Sequence, residues 1–554
     1  MSETTQSGPM LSADGVPLKT SLARALRRQK IRALLLISPL LAFVLITFII
    51  PIASMLFRSV ENQIVSNTLP QTVAMIADVS ADEATTDEML FRVLYLDMYR
   101  AVEAKAHTRL GSRLNYEQSG ISSLFRTSGR KLEDVGEDFE DFFKDADSGM
   151  VKGPFWHELM QGEGGEDVLN DRLGLLTDLT SLEASSDLGF TLSGEAAALL
   201  PWAARAYADW ALFTAIVDED DVSKKKPWAG VYAALALDLA DPATQSAVAA
   251  YSGSGAAELQ AAVANIADMP ATEFRAYFED IDDKWVSGET WALLKVFGSQ
   301  YTSGYFLNAV DMKLTPDGIE QRPDNERLYL KLFNRTLIMS MIITVSCILL
   351  GYPVAWLLAN LPMRSANVLM ILVLLPFWTS LLVRTSAWKV LLQQQGVIND
   401  ILVWLGFVAD DARLVMMNNS TGTIIAMTHI LLPFMILPLY SVMKTIPPSY
   451  LRAAKSLGAT NWTAFWRVYF PQSVPGIGAG SILVFILAIG YYITPEIVGG
   501  TDGVFISNRI AYHISSSLNW GLAAALGSIL LAVVMLLYWL YDRIVGIDNV
   551  KLGG

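Results

Sequence analysis

The chain has 554 residues, is 52% hydrophobic and carries a formal net charge of −14. The charge is unevenly spread: residues 58–329 contain 46 acidic and 22 basic residues, whereas the remainder contains 9 acidic and 19 basic residues. Such a distribution indicates a basic membrane protein that carries an acidic soluble segment. The single cysteine, Cys347, excludes an intrachain disulfide and a multi-cysteine metal site.

The beginning of the chain predicts a cytoplasmic tail at residues 1–31, disordered over its first 20 residues, and a first transmembrane helix at residues 32–57. Basic residues between Arg24 and Arg32 precede the apolar run, as they also do in a secretory signal. A signal core is typically about 7–15 residues long and ends at a small-residue cleavage site, whereas a bilayer span needs about 20 residues. The apolar run here is of the second kind, so we expect a retained span.

Residues 58–329 predict a soluble, mainly helical insertion, because Ala- and Leu-rich stretches recur there at helical spacing. Acidic clusters at residues 133–147 and 218–221 fit solvated helix faces and loops, and a cation-attracting surface is the alternative. Three consecutive lysines at residues 224–226 fit a loop rather than a nucleic-acid patch.

Residues 330–545 predict a membrane core with five further spans, followed by a cytoplasmic tail at residues 546–554. The fold class is therefore an all-α integral membrane protein. The short loops with Lys and Arg fall on one side if six spans alternate, which predicts that both termini are cytoplasmic and that the insertion lies outside. The predicted spans are Thr336–Leu358, Asn367–Val390, Thr421–Met443, Gly476–Ile497 and Trp520–Tyr541.

A loop at residues 444–474 lies between the fourth and fifth spans and contains the stretch SYLRAAKSLGATNWTAFWRVYFP. Pro447 and Pro448 close the preceding helix, because proline cannot continue its hydrogen-bond ladder. Ser449 is then expected as an N-cap, and Gly458 as the left-handed residue that ends a two-turn helix. A basic helix-turn-helix between two spans predicts a docking surface.

Motifs of common catalytic chemistry are absent from the sequence. There is no GxxxxGK[ST] loop, so the chain is not expected to hydrolyse ATP, and there is no HExxH, paired CxxC or GxSxG motif. His429 lies in the fourth span, where a packed, hydrogen-bonded histidine and a ligand are the two alternatives. The sequence predicts no enzyme activity, no cofactor and no metal site.

Ionisable and aromatic residues at membrane depth are the candidates for a solute path, because a charge in the bilayer usually faces the interior of the bundle. Tyr491, Tyr492 and Glu496 surround Pro495, which is expected to kink the fifth span, and they could hold an organic cation. The alternatives are that Arg384 snorkels to the interface and that the aromatic residues belong to an interfacial belt. The candidates are Trp378, Arg384, Tyr491, Tyr492 and Glu496.

The loop resembles the cytoplasmic EAA loop of permeases from binding-protein-dependent ABC importers, whose pattern is Glu-Ala-Ala, three residues, Gly, nine residues and Ile-x-Leu-Pro. Ala453, Ala454, Gly458 and Pro471 match in register, and Val468 and Phe470 are apolar substitutes. Arg452 stands where the family usually has Glu. The segments GYPVAWLLA and LPFMILPLYSVMKTIPPSYLRAAKSLGA also resemble the spermidine/putrescine branch. The likeness covers about half of the chain and none of the insertion.

The resemblance implies a six-helix permease core in a bacterial inner membrane, with the insertion in the periplasm and with a loop that docks on an ATPase. The implied partners are two copies of an ATP-binding subunit, a second and different permease subunit, a periplasmic substrate-binding protein and membrane lipid, with no nucleic acid. The implied solute is a polyamine or a related compound. Two alternatives belong to other classes: a secondary transporter, which predicts more intramembrane carboxylates and an internal repeat, and a membrane sensor, which needs a cytoplasmic output domain.

Overall fold

The computed structural model describes residues 18–180, 182 and 189–545, and it is predominantly helical over those residues. The disorder predicted for the first residues and the tail predicted at residues 546–554 lie outside the described residues, apart from residues 18–20. The chain divides into two units, residues 1–59 and residues 60–554.

The first unit contains one long apolar helix, made of α1 (Leu18–Val44), a π-helical turn (Leu45–Ile49) and α2 (Ile50–Arg58). An 18-residue window within Leu26–Arg58 has a mean hydropathy of 2.8, and the predicted span at residues 32–57 lies inside that stretch. The π turn ends two residues before Pro51, which has no N–H to donate to the preceding turn. Helical backbone also extends into the predicted tail.

The second unit begins with the central segment, which we define as residues 60–328, and mainly helical structure is confirmed there. One antiparallel hairpin pairs Met312 with Gln321 and Thr315 with Gly318. The elements are α3 (Gln63–Thr68), α4 (Pro70–Ile76), α5 (Ala81–Ala84), α6 (Glu88–Glu103), α7 (Ala106–Leu114), α8 (Ile121–Ala146), α9 (Gly153–Met160), α10 (Glu166–Thr180), α11 (Gly194–Leu199), α12 (Pro201–Ile216), α13 (Ala229–Leu239), α14 (Pro242–Ala250), α15 (Ala256–Ala264), α16 (Phe274–Ile281), α17 (Gly288–Phe297), α18 (Gly304–Ala309), β1 (Met312–Thr315) and β2 (Gly318–Gln321), with 3-10 turns at Ile266–Asp268 and Asp283–Val286.

The central segment has its own aromatic core. Trp285 and Trp291 are fully buried, and the Trp291 indole N–H donates to the carbonyl oxygen of Trp285 at 2.7 Å. The Trp285 indole N–H donates to Ser128 Oγ at 2.8 Å, so both polar edges are satisfied. The three predicted surface lysines lie in a loop and pair with Asp221, Asp220 and Glu140.

Residues 329–545 form the membrane core, which also belongs to the second unit. Its helices are α19 (Tyr329–Asn360), α20 (Met363–Leu374), α21 (Leu381–Leu391), α22 (Val397–Trp404), α23 (Ser420–Thr445), α24 (Pro448–Ser456), α25 (Asn461–Ala464), α26 (Phe470–Gly490), α27 (Ile493–Val498), α28 (Gly500–Gly503), α29 (Ile506–Ser515) and α30 (Trp520–Val545), with 3-10 turns at Leu375–Trp378 and Asp410–Ala412 and a π turn at Phe465–Tyr469.

Five helices among the described residues are long and apolar enough to cross a membrane, and a bent pair makes a sixth if it is counted as one span. The predicted second, fourth and sixth spans lie inside α19, α23 and α30. The predicted third span at residues 367–390 is bent, since α20 and α21 meet at 95°. Thr379 is extended at the bend, and Ser380 starts a new helix by accepting a hydrogen bond from the Val383 N–H.

The prediction that Pro495 kinks the fifth span was wrong. α26 ends at Gly490, and the chain is non-helical at Tyr491 and Tyr492 before α27 begins. Pro495 lies in the first turn of α27, where a missing backbone N–H leaves no hydrogen bond broken. The break therefore precedes the proline by three residues.

The centre of the membrane core is the packing of α19, α23 and α26. Glycines allow these helices to approach closely: a Cβ atom at Gly480 would lie 2.6 Å from Met435 Sδ, and one at Gly476 would lie 3.0 Å from Val442 Cβ. Small residues at crossings are the usual means of packing helices in a membrane.

The central segment is joined to the membrane core by a buried polar and apolar contact. Asp311, 1% exposed, accepts hydrogen bonds from the first N–H groups of α19 at Leu328, Tyr329 and Leu330, at 2.8–3.0 Å. Tyr305 of α18 packs on Gly521 of α30. Since Asp311 and Tyr305 both belong to the central segment, its end is fixed to two helices of the core.

His513 lies beside this joint and is 3% exposed. Its Nε2 is 3.0 Å from the Tyr329 hydroxyl and its Nδ1 is 2.8 Å from Ser517 Oγ. Burial, assisted by the nearby charge of Arg509, lowers the pKa of His513 to about 4. The imidazole is therefore neutral at ordinary pH.

Candidate coupling loop and translocation path

The loop between α23 and α26 has the predicted helix-turn-helix form, and Gly458 ends its first helix as expected. Gly458 has φ +88°, its N–H donates to the Lys455 carbonyl at 3.0 Å, and the Ala459 N–H donates to the Ala454 carbonyl at 3.1 Å. These two bonds form a Schellman motif. The N-cap prediction was wrong: Ser449 lies inside α24, since Pro447 is the N-cap and Pro448 is the first helical residue.

The surface of the loop is open. Arg452 and Ala453 are exposed and Ala454 is half-buried. Among the described residues, no carboxylate lies within 4 Å of the Arg452 guanidinium. The small side chains at positions 453 and 454 leave the backbone of α24 accessible to a partner.

Apolar side chains also stand on this surface, and the sequence interpretation missed them. Leu457 is 90% exposed, Trp462 is 72% exposed, and the rings of Trp462 and Trp466 are 5.6 Å apart. The spacing of the two tryptophans, four residues along a helix, was the available signal, because such residues share one face.

The second arm of the loop is continuous with the fifth span. α25, the π turn and α26 form one helix, Asn461–Gly490, which contains Val468, Phe470 and Pro471. The Phe470 ring lies 5.8 Å from the ring of Tyr352 on α19. A force on this arm is therefore applied to the fifth span directly.

The break after α26 exposes backbone that other side chains satisfy. The Ser507 hydroxyl donates to the Tyr491 carbonyl at 2.7 Å, and the Asn508 amide donates to the Tyr492 carbonyl at 2.9 Å. Non-helical backbone in a membrane protein is tolerated where protein or an aqueous cavity surrounds it. Tyr491 is half-buried, and Tyr492 is 46% exposed.

Glu496 is exposed on α27 and is held by Asn508, whose side-chain amide donates to Glu496 Oε2 at 2.6 Å. Asn508 is 6% exposed, and its own oxygen accepts the Phe505 N–H at 2.9 Å. The same amide thus links Glu496 to the carbonyl of Tyr492. Asn508 was absent from the sequence candidates because nothing near it in sequence marks this pairing.

The bent third span contacts α27, the helix that follows the break. Thr385 of α21 and Thr494 of α27, both fully buried, have hydroxyl oxygens 3.1 Å apart. Arg384 is half-buried, and its Nε has no hydrogen-bond partner among the described residues. Within that part of the chain, Arg384 forms no ion pair with Glu496. Trp378 stands at the bend, 70% exposed.

His429 is packed rather than free, since its Nδ1 accepts the indole N–H of Trp388 at 3.0 Å. Across residues 18–180, 182 and 189–545, no group of three or more His, Cys, Asp or Glu side chains is placed to hold a metal ion.

Comparison with known proteins adds to this geometry. Residues 335–545 match the family model described as "Binding-protein-dependent transport system inner membrane component". The chain is 34% identical over 254 residues to the spermidine/putrescine transport system permease protein PotB of Salmonella typhimurium (strain SL1344), covering 45% of this chain and 87% of that protein. The chain belongs to this permease family.

Two further matches concern the same region of the permease. The PotB protein of Haemophilus influenzae is 36% identical over 216 residues, which cover 39% of this chain and 75% of that protein. A crystal structure of a bacterial alginate ABC transporter, in complex with an alginate-bound periplasmic protein, matches with a TM-score of 0.34 at 18% identity and covers 41% and 81% of the two chains. The relatives place the permease in the polyamine branch, as a multi-pass protein of the inner membrane.

Proposed function

We propose that this permease moves a polyamine or a related small cation across the inner membrane, driven by ATP hydrolysis in a separate subunit. The observation that carries the proposal is the pairing of an open Schellman-ended loop with the broken third and fifth spans. The exposed loop can dock a partner subunit that moves the fifth span, and the breaks in the third and fifth spans can bind a solute. The printed names of the PotB relatives support a polyamine as the solute.

The exposed face of α24 is the proposed docking site for the ATPase, with Arg452, Ala453, Ala454 and Gly458 at its centre. Because this sequence contains no P-loop, the ATP that drives transport is bound by a different subunit in this proposal. Because the second arm of the loop runs into α26, movement of the ATPase would tilt the fifth span as a rigid body. Val468, Phe470 and Pro471 lie on that arm.

The assembly we propose contains two ATPase subunits, a second and different permease subunit, and a periplasmic binding protein. The family description, which names a binding-protein-dependent transport system, supports the last of these partners. The loop faces the cytoplasm together with both termini, since the basic short loops fall on that side. The central segment then lies in the periplasm as an insertion between the first two spans.

Gly458→Glu and Ala454→Asp test the docking site. Both changes put a charge where close contact is needed, and we expect loss of the co-purified ATPase and of ATP-dependent uptake, with normal membrane insertion. Gly318→Glu is the matched control, because Gly318 also has a positive φ and nothing lies within 4 Å of its Cβ position. ATPase retention and normal uptake in both loop variants would contradict the proposal.

The path we propose runs between α21 and the break after α26. Tyr491, Tyr492 and Trp378 offer aromatic faces to a cation, and Glu496 offers a carboxylate. Arg384 contributes a positive charge to the same path. Glu496→Gln should raise the KM for spermidine uptake several-fold, whereas exposed Asp411→Asn should not. An unchanged KM would return Glu496 to an interfacial role.

We further propose that the central segment sits over the outer mouth and contacts the binding protein or the second permease subunit. Its acidic charge and its firm joint to α19 and α30 support this role. Deletion of residues 63–323, with the membrane core kept, should weaken docking of the binding protein and lower uptake. Normal docking and uptake in the deletion variant would exclude it.

A further inference from the structure

The short helix α22 (Val397–Trp404) carries an apolar stripe that the rest of the described chain leaves uncovered. Val397 is 49% exposed, Ile401 50%, Trp404 82% and Leu405, which directly follows the helix, 51%. At about 3.6 residues per turn, these positions fall within an arc of about 100°. They therefore form one continuous face.

The helix is placed at one end of the membrane core. α21 ends at Leu391, five residues before α22, and α23 begins after the side-chain cap of Asn419. Both neighbours are parts of membrane spans, so the segment between them stays on one side, across the bilayer from the loop that contains Gly458. Eight helical residues reach about 12 Å and cannot cross a hydrocarbon core of about 30 Å.

The orientation of α22 is fixed from its other side. Asn399, fully buried, donates to the Gln393 and Leu414 carbonyls at 3.2 and 3.0 Å and accepts the Leu414 N–H at 3.0 Å. Asp400 pairs with Arg413 at 2.7 Å, and Arg413 also binds Asp410. Asn399 lies on the side of the helix opposite the stripe and Asp400 lies at the edge of the stripe, so the apolar face is left uncovered.

The apolar stripe continues an exposed apolar surface on α21. On α21, Leu382, Val383 and Val390 are each about 60% exposed, as expected of side chains on the outside of a membrane span. α22 follows α21 closely and itself carries no Lys or Arg. A tryptophan on an apolar face at the end of a span is typical of the boundary between acyl chains and headgroups.

We propose that α22 lies in the bilayer interface, with Val397, Ile401, Trp404 and Leu405 inserted among the acyl chains of the leaflet opposite the Gly458 loop. The occupant of this face is phospholipid. Trp404 anchors the depth of the helix, and Asn399 and Arg413 hold the polar side toward water. The helix thereby fixes the position of the bent third span in the membrane.

The single cysteine makes a direct test possible. In a Cys347→Ser background, a nitroxide on Trp404→Cys is compared with one on Asp411→Cys, an exposed position of the adjoining turn. The whole transporter is measured in phospholipid nanodiscs. We expect the label at position 404 to be several-fold more accessible to oxygen than to a water-soluble nickel chelate, with the reverse at position 411.

Two results would overturn the proposal. Equal nickel accessibility at both positions would place α22 in water, and low accessibility of position 404 to both reagents would place it against another protein subunit. If the Cys347→Ser background does not fold, the loss of quenching by brominated phospholipid in Trp404→Phe relative to the native chain gives the same answer. No change in quenching would then exclude lipid contact.

Discussion

The central segment and the membrane core are both helical, but they are packed by different means. Among the described residues, the largest fully buried side chains all lie in the central segment, and they are aromatic: Trp156, Trp285, Trp291, Tyr95, Tyr207, Tyr232, Phe91, Phe125, Phe139, Phe143, Phe274 and Phe278. The buried residues of the membrane core are mostly aliphatic, with Met427 and Met435 prominent, and glycines stand at its helix crossings.

This difference follows from the two solvents. Removal of large apolar side chains from water stabilises the central segment, since the gain grows with the buried area. In a bilayer, lipid is as apolar as leucine, so helices associate through close packing of small residues instead. The two regions should therefore fail through different substitutions.

The largest effect is expected for Trp291→Ala in the central segment. Loss of this fully buried indole leaves a cavity and an unpaired Trp285 carbonyl, which should cost about 4 kcal/mol. Hydrogen exchange of the whole protein should show α16–α17 opening while α19 and α23 stay protected. Met89→Ala, at an exposed site, is the control. Simultaneous opening of the membrane core would break the distinction between the two regions.

A smaller effect is expected for Gly480→Leu in the membrane core. The new side chain meets Met435 and should force α23 and α26 apart, at a cost of about 2 kcal/mol. The thermal midpoint in nanodiscs should fall, with uptake reduced. Gly490→Ala is the matched control on the same helix, since nothing lies within 4 Å of its Cβ position. Equal midpoints for the two variants would show that close packing is not what holds these helices.

The joint between the regions is tested by Asp311→Ala. Three N–H groups at the start of α19 lose their acceptor, which should cost about 1–2 kcal/mol, as for the loss of a helix cap. Faster hydrogen exchange at residues 328–330 is the expected signal. Asp317→Ala, in the exposed hairpin turn, should leave it unchanged. If both variants behave alike, the cap does not hold the joint.

The smallest effect concerns pH. Burial, with the charges of Glu133 and Asp218, raises the pKa of Glu103 to about 7. The native state then holds a proton that the unfolded chain releases from about pH 4.5 upward, so stability falls as the pH rises from about 4.5 to 7. Glu103→Gln should reduce this pH-dependent loss of stability by about 1 kcal/mol, after allowance for partial exposure, while Glu158→Gln should leave it unchanged. The stability of α6 is followed by hydrogen exchange at each pH. The same pH dependence in Glu103→Gln and in the native chain would contradict this prediction.

Local signals in the sequence were enough to predict the form of the loop and the positions of most of the spans. Gly458 was predicted correctly because a left-handed C-terminal residue is a local requirement, written in one glycine after a short helix. Apolar runs located α19, α23 and α30 for the same reason. The helical nature of the central segment also followed from spacing along the chain.

Features that depend on distant partners were not predicted. Pro495 suggested a kink, but a proline fits the first turn of a new helix equally well, and the break at Tyr491 depends on Ser507 and Asn508 sixteen residues away. The role of Asp311 depends on a positive φ and on the position of α19. Neither condition can be read from neighbouring residues.

Uptake by the assembled transporter tests the central claim most directly. The permease is reconstituted in proteoliposomes with the proposed ATPase, second permease subunit and binding protein, and labelled spermidine and putrescine are supplied outside. We expect saturable uptake that needs ATP and is lost in Gly458→Glu but not in Gly318→Glu. Uptake that persists without ATP, or the absence of polyamine uptake from a complex whose ATPase responds to another solute, would contradict the account.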